Sequence, residues 1–127
     1  MSAQHPERLD RAHRLRSSLD HAEVKAEAVA LRGRFCLILV LAKAGEPTKI
    51  GFIASKRGVG GAVQRNRARR RLREIVRRRW PRMPRTGYWL TFVAFRGCLT
   101  APHAELASDV ERLLAEAGAL APIGSGA

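Results

Sequence analysis

Acidic residues are scarce in this 127-residue chain: Asp plus Glu number 11 against 24 Lys plus Arg, for a formal net charge of +13 and a pI near 11.5. The acids are scattered, with no close carboxylate cluster to hold magnesium for phosphodiester cleavage, which argues against a self-sufficient nuclease. Cysteine is limited to Cys36 and Cys98, too few for a disulfide framework or a zinc site. Both are expected to stay reduced in the cytoplasm. The four histidines, His5, His13, His21 and His103, show no metal-ligand spacing with a cysteine or an acid. Ser55 and Ser108 lack a recognisable base partner. Long apolar runs are missing too. The longest, Phe35 to Ala42, falls far short of the ~20 residues of a membrane span, so no membrane partner is expected. The N-terminus has no apolar core behind its charges, and no secretory signal is expected there. The length fits one domain with a modest core.

Lysine is scarce as well. Only Lys25, Lys43, Lys49 and Lys56 occur, so nearly all the positive charge is arginine. That bias is compatible with a GC-rich genome, but its distribution is not uniform. In the stretch SKRGVGGAVQRNRARRRLREIVRRRW, residues 55–80, nine arginines stand between Arg65 and Arg79 against the single acid Glu74. At ~100° per residue, Ala68, Leu72, Ile75, Val76 and Trp80 fall on one stripe, a core-facing amphipathic pattern. Arg65, Arg69, Arg73 and Arg77 are spaced four apart, and each neighbouring pair repels by roughly a few tenths of a kcal/mol. No folding requirement asks for that ladder. An ordinary mixed-sign helix face is simply solvated; a face of one sign is stabilised when a polyanion neutralises it. Guanidinium forks match phosphate oxygens and stack on bases. The pattern points to nucleic acid, with a membrane surface the weaker reading.

Residues 1–13 are polar and read as a mobile basic arm. Ser17 or Ser18 can cap a first helix, with Asp20 in its first turn. This helix is expected to run to about Arg32 with Gly33 as its stop, packing through Leu19, Ala22, Ala26, Val29 and Ala30. Arg34–Ala42 is a continuous apolar run, as in a strand covered on both faces. Lys43–Pro47 reads as a hairpin turn leading into a second strand over Thr48–Ser55. Gly58–Gly61 turns the chain into the arginine helix, which ends against Pro81. After a proline-punctuated loop, Tyr88–Phe95 is a third strand. Pro102 opens a last helix with Leu106, Val110, Leu113, Leu114 and Ala117 on one face and Gly118 as its stop. Residues 119–127 are expected to fray. Trp80, Trp89 and Phe92 read as core or packing residues. The order of elements gives a two-layer α+β domain.

The ordered run Ser55-Lys56-Arg57, the glycines, Gly61-Ala62-Val63, Arg65-Asn66-Arg67, Arg69-Arg70 and Leu72-Arg73-Glu74 resembles the signature of the protein component of bacterial ribonuclease P, roughly SKK-x-G-x-AV-x-RNR-x-(K/R)R-x-x-RE. Gly58 stands as an extra residue within it, in a turn where an insertion costs little. Looser counterparts extend the resemblance over about residues 14–118. It implies an α+β two-layer sandwich with about four strands in a mixed sheet and three helices, in the order α-β-β-(β)-α-β-α. The bracketed strand cannot be placed from composition. The resemblance also implies a left-handed βαβ crossover through the arginine helix, against the general rule.

On the same resemblance, the chain is the protein subunit of a ribonucleoprotein endoribonuclease. The catalytic RNA hydrolyses a phosphodiester in precursor tRNA with Mg2+ held by RNA and substrate, releasing the 5′ leader. The partners implied are the ribonuclease P RNA and precursor tRNA, with no obligate protein partner. No catalytic residue and no protein-held metal is expected. The signature assigns RNA contacts to Arg65, Asn66, Arg67, Arg69, Arg70 and Arg73, with Arg69, Arg70 and Arg73 expected on the exposed sector. Lys56 and Arg57 extend that basic edge or are plain turn residues, and Asn66 alone could equally serve local backbone groups. Arg71, Arg78 and Arg79 would add charge without defined geometry. The family's leader cleft, between the first helix and the sheet, carries aromatics on which bases stack. Here its helix positions hold His21 and Lys25. Ile38 and Ile53 are the candidates on the sheet, with plain core as the competing reading. The alternative function is a basic ribosomal or other structural RNA-binding protein. A DNA-binding regulator is disfavoured, because its recognition helix would need short polar side chains to read base edges.

Overall fold

The computed structural model describes residues 10–121. Helix α1 spans Ser18–Glu27, and the strands are β1 (Val29–Arg32), β2 (Cys36–Pro47), β3 (Lys49–Ile53) and β4 (Thr86–Ala94). Helix α2 (Ala62–Arg79) joins β3 to β4, and α3 (His103–Glu116) closes the domain. The four strands form one sheet in the order β1-β2-β4-β3, with β1/β2 and β2/β4 antiparallel and β3/β4 parallel. Helix α2 is therefore the crossover between two parallel neighbours.

Strand alternation sorts the sheet into two faces. Cys36, Ile38, Ile50, Leu90, Phe92 and Ala94 join the main core with Ala68, Leu72, Ile75, Val76 and Trp80 of the α2 stripe and Leu106, Val110, Leu113 and Leu114 of α3. The opposite face carries a small cluster in which Leu15, Val24 of α1 and Trp89 pack with Leu39 and Leu41. Trp80, Trp89 and Phe92 are all buried, as their setting in the sequence suggested. Both thiols are free and buried. Desolvation pushes Cys36 up to about 12, reinforced by the nearby Asp109 carboxylate, and Cys98 up to about 11.

The first helix starts where expected: the Ser17 hydroxyl accepts from the amides of Leu19 (3.1 Å) and Asp20 (3.4 Å). It ends earlier than expected. Ala28 leaves the helical region at ψ 153°, and Val29–Arg32 pairs with Val40–Leu37 as β1. This is the strand that composition could not place. Its backbone bonds to the edge of the apolar β2 outweigh the helix propensity of an alanine-rich run. The expected packing face is also wrong. Leu19 is 80% exposed and Val29 65%, Ala22 and Ala26 lie in solvent, and Val24 is the buried anchor.

Gly33 sits in the β1–β2 turn instead of capping a helix. Its amide donates to the Cys36 carbonyl at 2.8 Å, and a side chain there would meet the Asp109 carboxylate at 2.6 Å. That carboxylate, carried on α3, accepts from the Arg34 and Phe35 amides at 3.0 and 2.9 Å. Nor do β2 and β3 form a hairpin, because β4 lies between them. The chain wraps round the start of β4: Lys43 pairs with Gly87, Pro47 with Thr86, and the Thr48 amide donates to Arg85 at 2.8 Å. Gly45, at φ +81°, permits the excursion. Strands β2 and β4 share the centre of the sheet, and β3, with Lys49 and Gly51, takes an edge.

Within the stretch expected to be an arm, Arg11–His13 forms a 3-10 turn. His13 Nδ1 hydrogen-bonds the Thr48 carbonyl at 2.7 Å, and its ring packs 4.8 Å from Trp80. Residues 1–9 lie outside the described residues. At the other end Gly118, at φ +77°, terminates α3. Ala119 beyond it is fully buried, and Ala121 exchanges hydrogen bonds with Arg82. The chain is docked over these residues where fraying was expected, and 122–127 lie outside the described residues. Asp109→Ala, which leaves two amides of the β1–β2 turn without their acceptor, is expected to lower unfolding stability by about 2–3 kcal/mol in urea titrations. A loss below about 0.5 kcal/mol would show that this carboxylate does not hold the turn.

Candidate nucleic-acid interface

The glycine turn sets the start of α2. The Ser55 hydroxyl accepts from the Gly58 amide at 2.8 Å and the Ser55 carbonyl from Val59 at 2.9 Å. Val59 is buried, so it pins the turn to the core and the extra Gly58 is absorbed on the outside. Lys56 and Arg57 project into solvent. Gly61 is the N-cap, no side chain caps the helix, and no acid stands in its first turn. The free amides and the positive end of the dipole are left to an external anion.

The nine arginines of α2 divide by what they touch. Arg67 and Arg70 are exposed, with no carboxylate or carbonyl partner among the described residues; Arg78 is exposed as well, and its charge acts on the Glu74 carboxylate. Arg73 is exposed, and its guanidinium lies 5.6 Å from the Phe52 ring centroid. Arg69 is half-buried instead of exposed, and it donates through Nη2 to Asn66 Oδ1. The Asn66 amide oxygen thus serves a neighbouring side chain and not a local backbone group: it orients a guanidinium one turn along. Arg65 is half-buried, its Nε buried without a partner.

Three arginines have structural duties that a charge count cannot reveal. Arg71, expected to contribute undirected charge, donates to the carbonyls of Cys98 (2.6 Å) and Ala101 (2.7 Å). It ties α2 to the 3-10 turn Arg96–Leu99. Arg79 reaches Glu111 of α3 through Nε and Nη2 at 3.0 and 2.8 Å. Arg77 pairs with Glu74 at 2.7 Å, and that pairing is the main cause holding the Glu74 carboxyl below its usual range. The remaining exposed guanidiniums form a basic face of one sign.

The other candidate residues lie on α1 and the sheet. The His21 ring rests on Gly51 of β3, where an added Cβ would come within 3.0 Å of His21 Cε1. His21 Nδ1 is buried without a partner, as is the Thr91 hydroxyl, which belongs to the residue paired with Gly51. Lys25, one turn further along α1, is exposed. Ile53 lies on the same sheet face, in the row Leu37–Val93–Ile53. Ile38 does not. It is fully buried and faces α2 and α3, because adjacent strand residues point to opposite sides. Its neighbours Leu37 and Leu39 carry the α1 side, so the core reading of Ile38 is the right one. Lys43 and Lys49 stand 4.4 and 5.0 Å from the Trp89 ring, two cations on that face that composition and charge runs do not single out. The alternation of β2 and β3 about Trp89 is the signal that could have found them.

A four-stranded mixed sheet, with a parallel pair bridged by an arginine-faced helix, defines a class of α+β domain with one strongly basic helix face. The comparisons narrow the class. The sequence profile described as Ribonuclease P matches residues 9–118. A ribonuclease P protein component from Symbiobacterium thermophilum is 42% identical over 113 residues, covering 88% of this chain and 96% of that protein. The solved structure of the Staphylococcus aureus RNase P protein superposes with TM-score 0.74 at 17% identity, covering 87% of this chain and all of that one. The RNase P protein of Thermotoga maritima superposes with TM-score 0.70 at 20% identity, covering 81% and 96%. The chain belongs to the bacterial ribonuclease P protein family.

The split between anchoring and free arginines is open to test with two neighbours. Arg71→Ala is expected to cost about 1–3 kcal/mol of stability, because it strands two carbonyls, whereas Arg70→Ala should stay within about 0.5 kcal/mol of the parent. Equal effects in thermal or urea unfolding would erase the distinction.

Proposed function

We propose that this chain is the protein subunit of ribonuclease P, binding the catalytic RNA and the 5′ leader of precursor tRNA to support 5′ maturation in the bacterial cytoplasm. The observation that carries the reading is the single-sign face of α2, where Arg67, Arg70 and Arg73 stand exposed on a scaffold of this family. Arg69, held by Asn66, and Arg65, beside the uncapped helix start, complete the contact set, and Lys56 and Arg57 extend its edge. The leader runs over the α1 face of the sheet, against His21, Lys25 and Ile53. Histidine can stack on a base and lysine can meet a phosphate. No obligate protein partner enters this reading.

Hydrolysis belongs to the RNA subunit. Among the described residues no three His, Cys, Asp or Glu side chains converge on a point where an ion could be held. In this reading the Mg2+ is held by RNA and substrate, as the family resemblance implies. What this chain supplies is neutralisation of phosphates brought close together and a track for the leader.

Purified protein is expected to restore precursor-tRNA 5′ processing by its partner RNA at low magnesium; no stimulation there would sink the assignment. With about six phosphates engaged, log affinity should fall with log salt at a slope of roughly −4 to −5. Arg67→Ala, Arg70→Ala and Arg73→Ala together should flatten that slope by about 2–3 while leaving the circular-dichroism spectrum unchanged. His21→Ala should weaken binding of leader-bearing substrate more than of mature tRNA, and equal losses would remove His21 from the leader track.

A further inference from the structure

A groove of about 620 Å³ lies between the first turns of α2 and the loop that follows the 3-10 turn Arg96–Leu99. Val63, Gln64 and Arg67 line it from the helix, and Leu99 and Thr100 from the loop. Val63, Arg67 and Arg71 fall four apart and share one row of the helix. That row is turned away from the buried stripe through Ala68 and Leu72. Arg71 closes it: its bonds to the Cys98 and Ala101 carbonyls, at 2.6 and 2.7 Å, hold the loop against the helix. Val63 is 78% exposed, an apolar side chain for which the core has no use, and Leu99 is only half-buried. The groove is on the main-core side of the sheet, and none of its lining residues belongs to the cluster around Trp89 on the other face.

We propose that this groove receives one unpaired base of the partner RNA, seated against Val63 and Leu99 with its backbone phosphate on Arg67. Three observations select that occupant. Among the described residues no carboxylate lines the groove and Arg67 has no partner, so the charge there is complemented by an anion; Arg70, three residues on, continues the same sign and suits a polyanion. Two apolar side chains flank the guanidinium, a surface that a phosphate alone would leave wet and that the face of an extruded base would cover. Gln64 is exposed, without a hydrogen-bond partner among the described residues, and its side chain lies back over the glycine turn, where a Cβ on Gly61 would stand 3.1 Å from its Oε1. Its amide offers two donors and an acceptor to a base edge. Only an unpaired base frees both its face and that edge. The inference rests on the RNA-binding reading and extends it: the arginines alone meet phosphate and position the RNA, whereas this groove would read a base.

The test uses the full chain with its partner RNA. Val63→Ser is expected to weaken RNA binding roughly tenfold, the size of a lost apolar side-chain contact, and to leave the salt slope unchanged because no phosphate contact is lost. Arg67→Ala should weaken binding and flatten the slope by about 1. Val63→Leu, which keeps the apolar contact, should retain the affinity of the parent. All three changes fall at exposed positions and should leave the circular-dichroism spectrum unaltered. Chemical probing of Watson–Crick edges in the RNA should reveal an unpaired base that the parent protein shields and that Val63→Ser and Gln64→Ala leave open. Parent affinity in Val63→Ser, or a probing pattern that neither variant alters, would give the groove to another occupant, such as a protein segment, and overturn the proposal. A salt slope that falls with Val63→Ser would overturn it too, since the residue would then act through phosphate contacts. The larger reading fails on a different result, the absence of RNA binding by the unaltered chain.

Discussion

Everything in this domain depends on how α2 is held to the sheet. An 18-residue helix of mostly charged residues has no reason to leave water except through Ala68, Leu72, Ile75, Val76 and Trp80, all of which are buried. Full burial of a leucine, isoleucine or valine is worth about 1.5–3 kcal/mol each. The ladder Arg65, Arg69, Arg73, Arg77 costs roughly 1 kcal/mol over its three successive pairs. The apolar stripe wins by several-fold, and it does so without engaging the charged sector. That margin is why the helix can carry a face tuned for an external polyanion.

The charged sector is itself not uniform. Arg71 and Arg79 spend their donors inside the molecule, on the Cys98 and Ala101 carbonyls and on Glu111. They brace the middle of α2 against the 3-10 turn and its C-terminal end against α3. Asn66 holds Arg69 in place from one turn below. The bracing fixes the helix from which the exposed guanidiniums project, so less of the backbone has to be ordered when phosphates arrive.

Much of this was legible in the sequence. The α2 stripe, the α3 face and the burial of both tryptophans follow from periodicity, because each depends on one element and its own 3.6-residue or two-residue repeat. What periodicity missed depends on partners distant in the chain. Residues 29–32 read as the end of a helix until β2 offers them a strand edge. The Lys43–Pro47 turn looks like a hairpin unless β4, some forty residues on, is known to slide between. The same limit separated Ile53 from Ile38, since the face each presents is set by the register with β4, which no local pattern encodes. Arg71 looked like one more cation because the carbonyls it binds lie about thirty residues away.

The segment that carries Arg14 and Leu15 has one more effect. A sheet has two open rims, and each invites a foreign strand. Here one rim, β3, is overlaid by that segment through Leu15 and Ile50, and the other, β1, is only four residues long. Neither offers a long row of spare amides and carbonyls to a stranger. A protein so positively charged is thereby kept from zipping onto its own copies, and whatever grips it must do so through side chains rather than by lengthening the sheet.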